Sequence, residues 1–414
     1  MKNINLTLIL LSFFAQFNFA QPISQWRGEN RDGIYNETNL LKVWPEGGPE
    51  LLWFNDSLPK GYSSPAVDED RIYVTGIIDT LDYLIALDTK GNVLWQTAYG
   101  NAFMNSFSDS RATPTIDGNN IYVSSGYCDI ACINKETGKI IWQVDGYVKY
   151  EGKKGEWGYS ESLLILGDKV FFTPAGDKTT MVALNKNTGE EIWHSKSLND
   201  FTGYVSPIVI NENGLEIILT VLAHNIVGIN AKTGDILFHT NYVALGSEES
   251  SLINTNSPLY KNKEIYVTSG YNYLGAKFKL SDDLKELTLV WIDTVLDVHH
   301  GGVVLVDGYI YGSNWLNNAK GNWCCINWET GKVMYETEWQ TKGSIISAEG
   351  LLYCYEEKRG NIALVQPTPE AFKIISEFPV PKGTGPHWSH LVINKGKLYV
   401  RHEDALMVYD ISKK

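Results

Sequence analysis

The sequence predicts an all-β fold, namely an eight-bladed β-propeller whose blades are four-stranded antiparallel sheets. Three observations predict it: a hairpin-like phrase recurs along most of the chain, eight pairs of strand-like runs alternate with this phrase, and one further strand-like run stands near the N-terminus. The phrase returns every roughly 40 to 53 residues, which is the spacing expected of a propeller with one blade per repeat.

The recurring phrase forms the third and fourth strands of a blade. It consists of an apolar strand, an Asn or Asp, a Thr-Gly or Lys-Gly turn, and a second strand that reaches an aromatic residue. The glycine supplies the positive φ that such a hairpin turn needs. The clearest copies span residues 84–95, 130–142, 181–193, 226–238 and 323–335.

The first two strands of each blade precede the hairpin as apolar runs separated by a short turn. Eight first runs occur, at residues 64–67, 113–116, 162–165, 206–209, 257–260, 302–305, 344–347 and 390–393. The eighth unit reaches the end of the sequence without room for a fourth strand. We therefore expect the run 50–55 to close the ring as that strand, because closure removes the open sheet edges.

One aromatic residue in most blades occupies the same place at the end of the hairpin. A residue that repeats with the blade is expected to pack between blades rather than to form a binding site. These residues are Trp53, Trp95, Trp142, Trp193, Phe238, Trp291 and Tyr335.

The N-terminus carries one positive charge followed by a short apolar run, which is typical of a secretory signal peptide. The sequence therefore predicts a signal peptide at residues 1–20, a lead segment at residues 21–49 and the propeller at residues 50–414. No Cys follows the apolar run, so the expected product is not a lipoprotein. We expect an exported protein, periplasmic or extracellular, without a transmembrane segment.

Composition excludes some functions and leaves others open. The chain has 48 acidic and 35 basic residues and a formal charge of −13, which argues against nucleic-acid binding. Five cysteines are an odd number for an exported chain, so a disulfide framework is not expected. Cys324 and Cys325 are adjacent in a strand and point to opposite faces, and we expect them to be half-buried and unbridged.

The hairpin pattern Ala/Gly-x-Asn/Asp-x-x-Thr-Gly-x-x-x-Trp resembles the tryptophan-docking motif of the eight-bladed pyrroloquinoline quinone (PQQ) repeat propellers. That superfamily includes the quinoprotein alcohol dehydrogenases and the non-catalytic propeller of the outer-membrane assembly machinery. The lead, with residues 25–34 and 43–53, resembles the opening of exported bacterial PQQ-binding-like repeat proteins. The resemblance implies either a dehydrogenase activity, with PQQ and Ca²⁺ as the candidate cofactor, or a non-catalytic role in assembly.

The first strand of every blade lines the central channel of a propeller, and its leading end opens at one mouth. Aligning the eight starts places Tyr62, Tyr204 and a set of polar or aromatic residues there, with Asp109, Trp157, His299 and His387 beside them. Arg and Lys pair with carboxylates, and Trp stacks on flat rings. We therefore predict an anionic, flat ligand such as PQQ, bound by Arg111, Glu161, Asn256, His300, Lys342, Trp388 and His390.

No catalytic residue and no metal site are predicted. A zinc site would draw on His299, His300, His387 and His390 with Glu161 or Asp109. However, side chains at adjacent positions, or three apart, point to opposite faces of a strand, so each pair is expected to give the channel at most one histidine. Phosphate-loop and hydrolase motifs are absent from the sequence.

The predicted fold, the mouth residues and the family resemblance indicate two functions. The first is an exported binding or scaffold protein that holds a protein partner or an anionic small molecule at the channel mouth. The alternative is a PQQ-dependent oxidoreductase acting on an alcohol or sugar, which would need a carboxylate set for the metal and a base beside the quinone. The sequence leaves open whether the protein is an enzyme.

Overall fold

The computed structural model describes residues 23–246 and 253–413. The signal peptide predicted at residues 1–20 lies outside these ranges. The described chain forms eight blades around a central channel, and its helical content is limited to α1 (Gly146–Tyr150) and a 3₁₀ turn (Val243–Leu245). The predicted all-β, eight-bladed propeller of four-stranded antiparallel blades is confirmed. No helix within the described ranges is long and apolar enough to cross a membrane.

Two strands precede the first complete blade, β1 (Ile34–Tyr35) and β2 (Glu50–Asn55). Blade 1 contains β3 (Ala66–Val67), β4 (Arg71–Ile78), β5 (Leu81–Asp88) and β6 (Val93–Asn101). Blade 2 contains β7 (Thr115–Asp117), β8 (Asn120–Ser124), β9 (Asp129–Asn134) and β10 (Ile140–Asp145). Blade 3 contains β11 (Leu164–Leu166), β12 (Lys169–Phe172), β13 (Val182–Asn185) and β14 (Glu191–His194). Blade 4 contains β15 (Ile208–Glu212), β16 (Leu215–Val221), β17 (Asn225–Asn230) and β18 (Ile236–Asn241).

The second half of the ring repeats this arrangement. Blade 5 contains β19 (Leu259–Lys261), β20 (Glu264–Val267), β21 (Gly275–Leu280) and β22 (Leu287–Asp293). Blade 6 contains β23 (Val303–Val306), β24 (Tyr309–Ser313), β25 (Trp323–Asn327) and β26 (Val333–Thr337). Blade 7 contains β27 (Gly343–Ala348), β28 (Leu351–Glu356), β29 (Asn361–Gln366) and β30 (Lys373–Pro379). Blade 8 contains β31 (Val392–Asn394), β32 (Lys397–His402) and β33 (Ala405–Asp410).

Blade 8 obtains its fourth strand from the N-terminal part of the chain. Strand β2 pairs antiparallel with β33, and the register places Trp53 opposite Val408. The sheet order is β2-β33-β32-β31, so the last blade is a four-stranded sheet like the others. The predicted closure of the ring by residues 50–55 is therefore confirmed.

The repeated tryptophans join neighbouring blades through the hairpin glycines. A Cβ atom on Gly189 of blade 3 would lie 2.7 Å from the Trp142 ring of blade 2, so this glycine lets the ring pack on the turn. The Nε1 of Trp142 also donates a hydrogen bond to the Lys186 carbonyl of that turn, at 2.9 Å. The same contact joins Gly91 to Trp53, Gly138 to Trp95, Gly234 to Trp193 and Gly331 to Trp291. The predicted packing role between blades is confirmed for these five tryptophans.

We expect Gly189→Ala to lower the free energy of unfolding by about 3 kcal/mol, because it combines a strained positive φ with a clash against the indole. Gly214 is a matched control, since it also has a positive φ, +81° against +73°, but nothing lies near its would-be Cβ. Gly214→Ala should cost about 1 kcal/mol from backbone strain alone. If urea unfolding shows that the two variants lose the same free energy of unfolding, the contact between Trp142 and Gly189 does not stabilise the fold.

The cysteines differ in one respect from the prediction. All five are buried and unpaired. Cys324 and Cys325 lie on β25 and are 1% and 0% exposed, so they are fully rather than half buried. The reason is that both faces of an inner blade strand are covered, one by each neighbouring blade.

The lead segment, of which residues 23–49 are described, fills the central channel and then runs along blades 7 and 8. Arg27 donates hydrogen bonds to the carbonyls of Val303 and Ile345, at 2.6 and 3.1 Å, on the first strands of blades 6 and 7. Arg31 donates to carbonyls of blades 3 and 4, including that of Pro207 at 2.9 Å. Both arginines are buried, at 3% and 2% exposure. The lead segment therefore ties opposite blades together.

Farther along, the same segment joins blade 7 to blade 8. Strand β1 adds to blade 7 as a fifth strand, parallel to β27. Trp44 packs against Tyr353 and Phe378 with ring centroids 5.9 and 5.2 Å apart. This indole supplies aromatic packing at blade 7, whose hairpin lacks the repeated aromatic residue.

Candidate functional site

The mouth of the channel carries a connected series of aromatic rings, which we call the aromatic mouth. Its members come from the loops that precede the first strands and from the loops between second and third strands. They are Tyr62, Phe107, Trp157, Tyr271, His299, His300, Trp315 and Trp388.

Trp388 is the centre of the aromatic mouth. Its ring centroid lies 4.9 Å from that of Tyr62, 5.0 Å from that of Phe107 and 5.2 Å from that of His300. Phe107 continues the series to Trp157 at 6.1 Å. Because the tilted and T-shaped geometries of these pairs are favourable, the rings hold one another in place.

His299 and His300 both face the aromatic mouth. Their ring centroids lie 4.3 Å apart. The expectation that adjacent histidines point to opposite faces is therefore wrong here, because residues 299–301 form a bend ahead of β23 rather than a strand. Two glycines permit the bend: a Cβ on Gly301 would overlap the Gly343 carbonyl, and Gly302 has a φ of +73°.

Asn256 fixes this bend from below. Its side-chain amide donates to the Val298 carbonyl at 2.7 Å, and its Oδ1 accepts from the Gly302 amide at 3.1 Å. These bonds hold the backbone on both sides of His299 and His300. The predicted site residue Asn256 is 3% exposed, so its place is beneath the mouth surface rather than on it.

Lys342 is part of a buried ion pair at the edge of the aromatic mouth. Its Nζ lies 2.7 Å from Glu357 Oε1 and donates to the carbonyls of Asn317 and Asn318, at 3.0 and 3.1 Å. Glu357 Oε2 lies 3.6 Å from Nε2 of His300. Lys342 is 2% exposed, so its three donors are already directed at protein oxygens.

The environment keeps the two mouth histidines neutral at pH 7. Burial lowers the pKa of His300 to about 3, and the positive charge of Lys342 acts in the same direction. Burial also lowers the pKa of His299, helped by the neighbouring His300 and Lys342. Burial raises the pKa of Glu357, while Lys342 opposes this shift. The imidazole nitrogens therefore keep lone pairs for a ligand.

The remaining predicted residues lie in different surroundings. Arg111 is half-buried, donates to the Ser106 carbonyl at 3.1 Å and lies 5.1 Å from the Phe103 ring, which places it beside the loop that carries Phe107. His390 lies deeper, where Nε2–H donates to the His300 carbonyl at 3.0 Å and Nδ1 accepts from Arg27 at 3.0 Å. His387 stacks on His402, at 3.5 Å between ring centroids.

Glu161 is separated from this group. It is 1% exposed, and burial raises its pKa to about 7, an effect that the charge of Arg31 partly opposes. Among the described contacts, no hydrogen bond or ring contact joins Glu161 to Trp388 or His300. The structure thus brings His300, Lys342 and Trp388 together, with Asn256 and His390 as supports beneath them.

Sequence reasoning missed several residues of the mouth. Glu357 lies between the second and third strands of blade 7, and Tyr271 and Trp315 occupy the equivalent loops of blades 5 and 6. Phe107 lies in the loop before blade 2. Two sets of loops meet at a propeller mouth: those before the first strands and those between the second and third strands. The alignment of first-strand starts covered only the first set. An alignment of the second set as well could have identified Glu357, Tyr271 and Trp315.

The eight-bladed ring and the repeated tryptophan–glycine hairpin contacts define a propeller of the PQQ-repeat type. The family described as outer membrane protein assembly factor BamB matches residues 82–337, which is more than half of the chain. The chain therefore belongs to this family.

Two curated relatives match over a shorter segment. The quinoprotein alcohol dehydrogenase PedH of Pseudomonas putida is 28% identical over 104 residues, which are 24% of this chain and 17% of that protein. The quinoprotein ethanol dehydrogenase of Pseudomonas aeruginosa is 30% identical over 95 residues, which are 22% and 15% of the two chains. The matches thus span less than a fifth of the length of either dehydrogenase.

Solved structures show the same fold at low identity. BamB from Moraxella catarrhalis has a TM-score of 0.62 and 15% identity, covering 87% of this chain and 99% of that one. A europium-containing methanol dehydrogenase has a TM-score of 0.67 and 13% identity, covering 92% and 89%. These likenesses show the architecture alone.

The arrangement at the mouth is a poor fit to PQQ with Ca²⁺. Trp388 is in contact with rings on several sides, and Lys342 is committed to Glu357 and to two carbonyls. The convergent donor set contains two imidazoles, His299 and His300, whereas Ca²⁺ takes oxygen ligands. The described residues of the aromatic mouth therefore do not form a fitting cofactor site of the quinoprotein kind.

Proposed function

We propose that this protein is an exported binding or scaffold propeller that docks a protein partner on the aromatic mouth. One observation carries the proposal: the loops that form the aromatic mouth present exposed apolar side chains, with Phe107 54%, Met104 45% and Leu316 46% exposed. Aromatic and methionine side chains are enriched at the centres of protein interfaces. Exposed residues of this type on one face favour a docking surface over an enclosed ligand pocket.

The filled central channel beneath the aromatic mouth supports a docking role. The channel is filled by Arg27 and Arg31 of the lead segment, so a partner would rest on the mouth rather than enter the channel. The contacts of Trp388 with its neighbours pre-organise the surface, which reduces the entropy lost on binding. Family membership supports the same role, since the family is described as an assembly factor.

Export is part of the proposal and rests on the sequence of residues 1–20, which has the pattern of a signal peptide. The family description, which places its namesake in outer-membrane assembly, supports a location outside the cytoplasm. We propose that the mature chain comprises the lead segment and the propeller.

The docking proposal is tested by placing a photo-crosslinking amino acid at position 107 in cells that export the protein. A discrete adduct at 107 is expected, because Phe107 is 54% exposed and contacts Trp388, the centre of the aromatic mouth. Phe54 is the matched control, an exposed phenylalanine (42%) on the outer strand β2. Phe107→Ala should also weaken partner capture by at least about tenfold without changing the denaturation midpoint. Equal crosslinking at 54 and 107 would contradict the proposal.

The alternative, a PQQ-dependent oxidoreductase, is favoured by the short matches to the two quinoprotein dehydrogenases. A titration of the purified protein with PQQ and Ca²⁺, followed by tryptophan fluorescence, distinguishes this alternative from the docking proposal. Saturable quenching that Arg111→Ala abolishes, with oxidation of an alcohol by an artificial electron acceptor, would replace the docking proposal. Adduct formation at 107 without such turnover would support docking.

A further inference from the structure

The aromatic mouth contains a convergent set of metal-type donors. One ligand atom each from His299, His300 and Glu357 lies within 4.8 Å of the other two. Nδ1 of His299 and Nε2 of His300 are buried and have no hydrogen-bond partner among the described residues. Leaving a buried polar atom unpaired costs about 1–3 kcal/mol. A ligand held within this donor set would give both unpaired nitrogens a partner.

We propose that His299, His300 and Glu357 bind one divalent transition-metal ion, with zinc as the occupant. Zinc accepts imidazole nitrogen and carboxylate oxygen, and sites with three protein ligands leave a fourth position for water or another donor. Magnesium and calcium prefer sets made of oxygen atoms. The proposal goes beyond the docking role, which needs no metal ion.

The separations are close to those of a bound ion. Two tetrahedral ligands with bonds of about 2.0–2.1 Å stand roughly 3.4 Å apart. Nε2 of His300 and Oε2 of Glu357 are 3.6 Å apart and need almost no movement. The widest allowed separation in the set, 4.8 Å, would shorten by roughly 1.4 Å, which side-chain rotation of His299 can supply.

The surrounding contacts orient all three ligands. Nε2 of His299 shares a hydrogen bond of 2.8 Å with the Tyr271 hydroxyl, which leaves Nδ1 for the metal. Lys342 holds Glu357 through Oε1, so Oε2 remains available. Asn256 fixes the backbone on either side of the histidines. Contacts of this kind set the direction of ligands in metal sites and contribute to affinity.

The site has one open side. The His300 side chain is 24% exposed, whereas that of Glu357 is 6% exposed, so access is from the mouth. Trp388 lies beside His300 at this opening. A fourth ligand would therefore come from solvent or from a molecule resting on the aromatic mouth.

The test is a titration of the chelator-treated full-length mature protein with Zn²⁺ and, separately, with Co²⁺, by calorimetry and visible absorption. About one equivalent of either ion should bind, and Co²⁺ should give the intense bands of a tetrahedral site that Zn²⁺ then removes. His299→Ala and His300→Ala should each weaken binding by at least about a hundredfold. Adding azide should shift the Co²⁺ bands if the fourth position is open.

The matched control is His194→Ala, because His194 and Glu191 form an exposed histidine–carboxylate pair at 2.7 Å on blade 3. This variant should bind zinc like the unaltered protein. The two mouth variants avoid Glu357, whose removal would strand the buried Lys342. The proposal is overturned if no saturable binding occurs at on the order of 100 μM metal, a concentration far above the Kd of a preformed three-ligand site. It is also overturned if all three histidine variants lose affinity equally.

Discussion

Removing residues 23–56 should prevent the propeller from forming a compact monomer. The deletion takes away β2, which supplies the fourth strand of blade 8, and leaves the hydrogen-bonding edge of β33 open between Leu406 and Asp410. It also removes Trp53 from the turn glycine Gly91 of blade 1, which is one of the contacts between the first and last blades. An open edge of this kind pairs with other chains. We expect aggregation and loss of near-ultraviolet circular dichroism.

The control is a deletion of residues 23–33 only, which removes the channel-filling arginines but keeps β1, Trp44 and β2. This variant should remain a compact monomer by light scattering and unfold at a lower denaturant concentration. If the longer deletion also gives a native monomer, closure by β2 is not required for folding. If the shorter deletion alone abolishes folding, the channel-filling residues 23–33 rather than the closing strand β2 determine assembly of the ring.

The fold could be predicted because its determinants are local. The turn glycines and hairpin aromatics repeat at fixed places, and counting strands required one more at the N-terminus, which is β2. The path of the lead segment could not be predicted. Arg27 and Arg31 donate hydrogen bonds to main-chain carbonyls of blades that are distant in sequence. Every residue type has such a carbonyl, so the sequence does not indicate which residues accept these bonds.

The candidate site could be predicted in part. Aligning the strand starts identified His300, Lys342 and Trp388, which do lie together at the mouth. It did not identify Glu357, because that residue belongs to the other set of loops. Strand alternation failed for His299 and His300 because the glycines that follow them turn the backbone into a bend. Glu161 stands at an aligned start and is nevertheless buried beside Arg31.

Replacing Arg27 by methionine should lower the free energy of unfolding by about 3 kcal/mol. The substitution keeps most of the side-chain volume but leaves the carbonyls of Val303 and Ile345 without their donor, together with Nδ1 of His390. Hydrogen bonds to a charged group contribute about 1.5–3 kcal/mol each, and release of a desolvated guanidinium offsets part of the loss. Burial lowers the pKa of Arg27 to about 10, so it is charged at pH 7. Urea unfolding measures the effect.

Arg359→Met is the matched control, because Arg359 is exposed and its Nη1 donates a hydrogen bond to Oε1 of Gln340 at 3.2 Å. Its substitution should change stability by less than about 0.5 kcal/mol. A double-mutant cycle with His390→Gln tests the link to the mouth, since His390 connects Arg27 to the His300 carbonyl. Residues in one buried network couple by about 0.5–3 kcal/mol. Strict additivity of the two substitutions would mean that Arg27 stabilises the ring without acting on the bend that carries His299 and His300.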